Sequence, residues 1–152
     1  MITYLFYWNP SKWAWVSRQN DIQACVPNHR VVLRWSVSEH VKLAEDVDGL
    51  VPGHHIRAFL YITAQNQKGI IGHGKIFAHP FEDLHYNPAR AQNGDTLFYA
   101  YAEFERLENA PFIHRQQLVG VAQTTFAHMR VDSGIRLNDA DAQAVWDLLQ
   151  AE

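Results

Sequence analysis

The sequence predicts an α+β fold, namely a small mixed or antiparallel β-barrel of five to six strands with short helices at its periphery. Six segments carry strand patterns, and the helical segments among them are short. Strands and helices do not alternate regularly, which argues against a doubly wound parallel sheet. The 152 residues contain no repeat and no Ser/Gly linker, so we expect one domain over residues 1–152.

The first strand is predicted over residues 2–9, where every second side chain is apolar and shares one face. Pro10 lacks an N–H group and ends this strand, so Asn9 lies at its last position. The pattern that follows predicts a helix over 17–25, a strand over 30–35 and a helix over 36–47.

The middle of the chain is predicted to hold two strands, over 56–63 and 69–78, joined by a turn. Gly72 and Gly74 lie inside the second of these strands, where glycine indicates a bulge or a close approach by another backbone or a ligand. Residues 79–95 show no periodicity, and we expect a long loop there, a type of segment that is often functional.

The last part of the chain is predicted to contain a strand over 96–107, a short helix or turn near 114–118, a strand over 125–131 and a C-terminal helix. Asn138 is the expected N-cap of that helix, and the acidic residues behind it favour its positive end. Ser36 or Ser38 is expected to cap the helix over 36–47 in the same way.

Composition fits a globular protein, because hydrophobic residues make up 47% and charged residues 19% of the chain. No segment approaches the roughly 20 apolar residues that span a bilayer, and the first residues lack the basic and apolar pattern of a signal peptide. Cys25 is the single cysteine and cannot form an intramolecular disulfide. We therefore expect a cytoplasmic protein without a membrane partner.

The net charge of −3 argues against a protein that binds nucleic acid mainly through its phosphates. The charge is uneven, however. Residues 1–43 hold five Lys/Arg and two acids, a local +3, whereas the remainder holds eight and fourteen, a local −6. This asymmetry permits a basic patch, and the candidate phosphate contacts are Arg34, Lys42 and Arg130.

Enzyme signatures such as a phosphate-binding loop, a serine-nucleophile elbow or a zinc-protease helix are absent, so we assign no catalytic residue. His73, His79 and His85 recur six residues apart, but no cysteine or paired acid completes a ligand set. We therefore expect neither a metal nor another cofactor. Glu82 and Asp83 remain a candidate acid–base pair if the protein is an enzyme.

Aromatic, amide and hydroxyl side chains recur together at the ends of the predicted strands. Trp8 and Asn9 end the first strand, and Trp35 and Ser36 lie where a strand passes into a helix, so that the following backbone N–H groups should be unpaired. Three more aromatic residues bracket the start of the long loop, namely Phe77, Phe81 and Tyr86. A site for an extruded nucleobase needs π faces and amide groups that read the base edge. These aromatic residues are either the lining of such a site or simply core.

Taken together, four segments resemble the EVE domain of the PUA-like superfamily, which also includes YTH and ASCH domains. The opening "YLFYWNPSKWAW" resembles a WNPxxW-type strand, and "RVVLRWSVSEHVKL" resembles the strand, Trp-Ser pair and helix of YTH domains. "VPGHHIRAFLYITAQNQKGIIGHGKIFAHP" is similar to the central EVE hairpin, and "RVDSGIRLNDADAQAVWDLL" to its closing turn and terminal helix. The resemblance spans nearly the whole chain and implies a single EVE/PUA-like domain.

The resemblance implies a non-catalytic module that reads a modified base, in DNA or RNA, by extruding it into an aromatic cage. Trp35 would be one wall of the cage and Ser36 would hydrogen-bond near the base. Asn9 would read a base edge, and the opposing wall would come from Phe77, Phe81 or Tyr86. A cage wall is expected to be partly buried, so Trp35→Ala should abolish binding with little loss of folding.

Two departures from the family pattern stand out. The hairpin turn has His54 where an acid is expected, and the closing turn reads "DSG" rather than "QSG". Trp8 is interpreted as core or as the floor of the pocket, because it shares a strand face with apolar residues. Trp13 and Trp15 are expected to pack against the first helix rather than to stack on a base.

Three functional hypotheses remain open at this point. The first is the modified-base reader, acting with a separate nuclease chain in a restriction or defence system. The second is a PUA-like hydrolase that acts on a small nucleoside or RNA. The third is an RNA-binding adaptor without a base pocket.

Overall fold

The computed structural model describes residues 2–26, 29–127 and 132–152. The strands are β1 (Thr3–Trp8), β2 (Val31–Ser36), β3 (Ile56–Ala64), β4 (Gln67–Ile76), β5 (Phe81–Leu84), β6 (Thr96–Leu107), β7 (Ile113–His114) and β8 (Ile135–Arg136). The helices are α1 (Arg18–Ala24), α2 (His40–Asp48), α3 (Pro88–Gln92), α4 (Arg115–Val121), α5 (Gln123–Phe126) and α6 (Asp139–Ala151). Within these ranges, no helix is both long and apolar enough to cross a membrane.

One curled sheet contains all the described strands and confirms the predicted α+β fold. Its main path runs β2-β6-β4-β3-β1-β8, with β5 paired to β6 and β7 paired to β4. β1 is parallel to β3 and antiparallel to β8, so the sheet is mixed. Five of the six predicted strands correspond to β1, β2, β3, β4 and β6, whereas the three shortest strands carry no periodicity that a sequence reading detects.

Strand β1 is buried on both faces and separates two apolar cores. Tyr4, Phe6 and Trp8 face the first core, which lies between the sheet and helices α1 and α2. Leu5 and Tyr7 face the second core, which lies under α4, α5 and α6. The near-continuous apolar sequence of β1 follows from this position, because both of its faces are covered.

The segment predicted as a structureless loop over 79–95 contains β5 and α3. β5 is not recognisable in the sequence because its four residues have no fully buried face. The strand forms by pairing with β6. Helix α3 begins at Pro88, and the Asn87 side chain accepts hydrogen bonds from two backbone N–H groups of its first turn.

Two further sequence predictions are wrong. Residues 125–126 belong to α5 rather than to a strand, because Phe126 is fully buried as a helical side chain on the second core; residues 128–131 of that predicted strand lie outside the described residues. Helix α2 begins at His40 with Glu39 as N-cap, so neither Ser36 nor Ser38 caps it. The terminal helix does begin after Asn138, whose side chain accepts from the N–H of Asp141.

Gly74 lies where β6 crosses closest to β4. A Cβ atom at this position would lie 2.1 Å from the carbonyl oxygen of Glu103, and the register of the two strands shifts between His73 and Gly74. The glycine therefore marks both a bulge and a close backbone approach, as the sequence predicts.

Gly134 joins the C-terminal part of the chain to the β2–α2 junction. Its φ is +75° and a Cβ atom would lie 2.4 Å from Cα of Val37. Its N–H donates to Leu5 in β1, and its carbonyl accepts from the N–H of Glu39. A side chain here would push apart the two backbones that this residue connects.

We predict that Gly134→Ala lowers the free energy of unfolding by about 2–4 kcal/mol, the sum of a left-handed backbone penalty and a steric clash. Gly94→Ala is the matched control, since Gly94 has φ +81° but open space around the added Cβ. It should cost about 1–2 kcal/mol. Urea denaturation of the two variants measures both values, and equal losses would show that the contact with Val37 does not matter.

Candidate functional site

A cavity of about 400 Å³ opens at the end of β1, beside the start of β6. Five chain segments meet there: the end of β1 with its following loop, the β2–α2 junction, the β5–α3 connection, the start of β6 and the residues before β8. The lining residues share this location and are Tyr7, Asn9, Lys12, Trp13, Arg34, Trp35, Ser36, Val37, Ser38, His85, Tyr86, Leu97, Phe98, Tyr99, Asp132 and Ser133.

Aromatic rings from three different segments form the walls of the cavity. These rings belong to Trp13, Trp35 and Tyr86. The centroid of the Trp13 ring lies 5.1 Å from that of Trp35 and 6.4 Å from that of Tyr86, so Trp13 contacts both. The planes of Trp13 and Trp35 meet at 82°. A flat ligand ring that stacks on one of these two indoles therefore presents its edge to the other indole.

The loop that carries Trp13 is held by the end of β1. The backbone carbonyl of Asn9 accepts hydrogen bonds from the N–H groups of Lys12 and Trp13, at 3.0 and 3.2 Å. The indole N–H of Trp8 donates to the carbonyl of Trp13 at 3.0 Å. Trp8 is buried in the first core, so the core fixes the position of a cavity wall.

The side chain of Asn9 has two different roles at the cavity. Its Oδ1 atom accepts from the N–H and the hydroxyl of Ser11, at 3.0 and 2.6 Å, which closes a turn. Its Nδ2 amide donates no hydrogen bond within the described residues. The group that Asn9 offers to a ligand is therefore a hydrogen-bond donor.

Asp132 and Ser133, just before β8, form another part of the cavity lining. The Ser133 hydroxyl accepts from the N–H of Tyr7 at 3.1 Å, and the Ser133 carbonyl accepts from the N–H of Ser38 at 2.8 Å. The N–H of Val37 donates to Phe98. The expectation of free backbone N–H groups after Ser36 is therefore wrong, because the neighbouring strand and this part of the lining pair them.

His85 contributes a buried imidazole to the lining. It is 8% exposed, and its Nδ1 atom accepts from the N–H of Asn87 at 2.9 Å. The proton of the neutral ring is thus on Nε2. Burial lowers the pKa of His85 below its ordinary value, so the ring stays neutral near pH 7 and acts as a donor.

The structure brings together five of the residues that the sequence predicts for the site. Asn9, Trp35, Ser36, Tyr86 and Arg34 all line the cavity. Trp35 is 4% exposed and packs in the first core. The expectation that it is only partly buried is therefore wrong.

The other predicted residues that the structure describes lie outside this lining. Phe77 is exposed after β4, and Phe81 lies on β5 with its ring against Tyr101. Lys42 lies on α2 and pairs with Glu39 at 2.9 Å. Trp8 lies behind the cavity in the core, and Arg130 lies outside the described residues.

Sequence reasoning missed several lining residues, above all Trp13. Trp15 does pack against the first helix, where its indole N–H donates to Asp21 at 2.7 Å, but Trp13 turns to the cavity instead. The WNPxxW spacing was the available signal, because an Asn-Pro turn reverses the chain direction within this interval. Lys12, Tyr99 and Asp132 carried no such signal.

The candidate catalytic and metal groups are spread over the molecule. Glu82 binds the hydroxyl of Thr96 and Asp83 binds Arg34, each at 2.7 Å, and neither acid lines the cavity. His79 pairs with Asp48 at 2.6 Å, and burial beside Arg57 lowers the pKa of His73 to about 4. In the part of the chain that the structure describes, no group of three His, Cys, Asp or Glu could hold a metal ion.

We predict that Trp35→Ala lowers the free energy of unfolding by about 3–5 kcal/mol, because it removes a buried indole from the core. Trp13→Ala should cost only about 1–2 kcal/mol, since Trp13 is partly buried. Chemical denaturation of both variants measures the difference. A Trp35→Ala variant as stable as Trp13→Ala would contradict the assignment of Trp35 to the core.

Comparison with known protein families finds no matching family, and no curated protein is similar in sequence. Solved structures nevertheless share the fold. The YTH domain of Zygosaccharomyces rouxii MRB1, in complex with N6-methyladenosine RNA, is 11% identical with a TM-score of 0.55, covering 97% of this chain and 87% of that one.

Two other solved structures match at similar levels. Human THYN1, in complex with 5-methylcytosine-containing DNA, is 16% identical with a TM-score of 0.53, covering 100% of this chain and 99% of that one. Protein PSPTO5229 of Pseudomonas syringae is 16% identical with a TM-score of 0.54, covering 96% and 98% of the two chains. The chain therefore shares the fold of these solved structures, which fits the PUA-like barrel expected from its sequence motifs.

Proposed function

We propose that this protein binds nucleic acid and reads a modified nucleobase that is extruded into the cavity beside Trp13. The observation that carries the proposal is the corner of aromatic rings at Trp13, Trp35 and Tyr86, with the amide of Asn9 in the same lining. Stacking surfaces together with edge-reading polar groups are what a site for a flipped base requires.

The size and shape of the cavity suit a single base. Its volume of about 400 Å³ lies within the range of small-ligand sites. The right angle between the two indoles lets a base stack on Trp13, the more exposed of the two, while a methyl group at its edge approaches Trp35. Burial of that methyl group is favourable by about 0.8 kcal/mol, and a closer fit adds to this.

The polar lining suits a base with an exocyclic amine, namely cytosine or adenine. Asn9 Nδ2 and His85 Nε2 are donors that match a ring nitrogen or a carbonyl. Asp132 is a carboxylate in the lining, and it matches the amine. Lys12 lies in the lining as a candidate phosphate contact. Arg34, which the sequence suggests for the same role, also lies in the lining but is paired with Asp83.

The solved relatives support the same reading. The YTH domain of MRB1 holds N6-methyladenosine RNA and THYN1 holds 5-methylcytosine DNA, so one fold serves two bases and two polymers. The four sequence segments resemble the EVE domain, and this resemblance supports the same proposal. We extend the proposal to a recognition module that acts with a separate nuclease chain in a restriction or defence system, as the resemblance to the EVE domain implies.

We predict that the protein prefers one of three modified bases in a single-stranded oligonucleotide of DNA or RNA: 5-methylcytosine, 5-hydroxymethylcytosine or N6-methyladenine. The preferred oligonucleotide should bind about tenfold more tightly than the same sequence without the modification. Trp13→Ala should weaken binding of the preferred oligonucleotide by about 10- to 100-fold, because a stacked base loses about 1–3 kcal/mol. Fluorescence anisotropy measures these affinities.

Trp146→Ala is the matched control for the loss of an indole, since Trp146 packs on Arg57 and lies outside the cavity lining. It should leave oligonucleotide affinity unchanged. Binding that falls with salt but ignores the modification would favour the adaptor without a base pocket instead.

We predict that Asn9→Asp weakens binding of the modified oligonucleotide by about 10- to 100-fold, because it replaces the donor Nδ2 with an acceptor. The variant keeps Oδ1 and therefore keeps the turn to Ser11. Ser11→Ala is the control, since it removes one bond of that turn and leaves Nδ2 in place.

Repeating the Asn9→Asp measurement at high salt separates loss of the donor from repulsion between the new carboxylate and phosphate. Repulsion is screened by salt, whereas a lost donor is not. A loss that disappears at high salt, or a Ser11→Ala variant as weak as Asn9→Asp, would argue against base reading by Asn9.

A further inference from the structure

An aromatic surface continues from the cavity over the outer face of β2, β6 and β5. We name this surface the platform and define it as Phe81, Tyr99, Tyr101 and Arg34. Phe81 on β5 is directly opposite Tyr99 on β6, and Arg34 on β2 is directly opposite Tyr101. The four side chains therefore lie on one face in adjacent rows.

The rings of the platform lie nearly parallel to one another. The planes of Phe81 and Tyr101 meet at 26° with centroids 5.0 Å apart, and those of Phe81 and Tyr99 meet at 30° with centroids 6.0 Å apart. The guanidinium of Arg34 lies 4.2 Å from the centre of the Tyr99 ring. Tyr101 is 40% exposed although it lies in the middle of a 12-residue strand. Tyr99 itself is 3% exposed, so Tyr101 and the half-buried Phe81 are the rings that this face offers to solvent. Adjacent exposed rings mark a binding surface more often than isolated exposed residues do.

The platform is continuous with the cavity. Arg34 and Tyr99 belong to the platform and also line the cavity. A chain whose base enters the cavity therefore has its neighbouring nucleotide within reach of this face, because successive nucleotides of one strand are covalently joined.

We propose that the platform binds the base next to the extruded one, by stacking on Tyr101, and that the nucleic acid is single-stranded there. This inference rests on the function proposed above. An unpaired base has a free face for an aromatic ring, as on the sheets of other RNA-binding domains, whereas a base in a duplex has its faces covered.

The charges on this face favour stacking over phosphate binding. Arg34 pairs with Asp83 at 2.7 Å, and Arg30 pairs with Glu103 at the same distance. Positive and negative charges are thus balanced beside Tyr101. The contribution of the platform to affinity should therefore depend little on salt.

The test uses single-stranded oligonucleotides with the preferred modified base and an abasic site at the preceding or the following position. The wild-type protein should lose about tenfold in affinity when one of these two neighbouring bases is missing. Tyr101→Ala should lose the same factor with the intact oligonucleotide and nothing further with the abasic one. Tyr101→Phe should retain wild-type affinity, since the ring remains.

Val32→Ala is the matched control, because Val32 is 48% exposed one row further along the same face. It should bind like the wild type. Equal wild-type affinity for intact and both abasic oligonucleotides would overturn the inference without any variant. So would a Tyr101→Ala variant that is still sensitive to the abasic site, or one that binds the intact oligonucleotide as the wild type does.

Failure of the proposed function gives a different result. In that case the wild-type protein does not discriminate modified from unmodified oligonucleotides at all, and the inference falls with it. Discrimination that persists while Tyr101 has no effect would refute the platform alone, and would leave this face for a protein partner.

Discussion

The edge-to-face contacts among four tryptophans are the constraint on which the site depends. Trp15 lies 5.4 Å from Trp8 and 5.2 Å from Trp35, each at 89°, and Trp13 adds the contact with Trp35. Such pairs prefer this geometry because the positive edge of one ring meets the negative face of the other. The cluster joins the loop after β1 to β2. The same packed indoles therefore belong to the core and support the cavity wall.

Trp35 and Trp13 have different roles in the cavity because Trp35 is buried and Trp13 is partly exposed. Trp35 is held by the core and supplies a fixed surface, whereas Trp13 is held by two backbone hydrogen bonds and the indole of Trp8. A preorganised wall reduces the ordering that a ligand must otherwise induce. Two solved structures in complex with modified nucleic acids share this fold at 11% and 16% identity.

Much of the fold was predictable because its longest strands have a clear apolar pattern in the sequence. β3 and β6 are long and apolar. Asn138, a residue typical of the N-cap position, indicates the start of α6. The short elements were not predictable, since β5 forms by pairing with β6 and α5 by covering the second core. For the site, four of the candidates that the sequence suggests, namely Asn9, Trp35, Ser36 and Tyr86, line one cavity, and their role in binding stays a prediction. Phe77 and Phe81 were equally good candidates in sequence, and nothing local distinguishes them from Tyr86.

The sequence by itself determined the fold class, the strand ends at which polar and aromatic residues meet, and the glycines that two close backbones require. These features depend on local periodicity, on proline and on steric exclusion, all of which act within a few residues. The tertiary structure decided which tryptophan faces the cavity, which atom of Asn9 is left to donate, and that Phe81 belongs to a platform outside the cavity. Those outcomes depend on contacts between β1, β2, β5 and β6, which are distant in sequence and adjacent only in the folded protein.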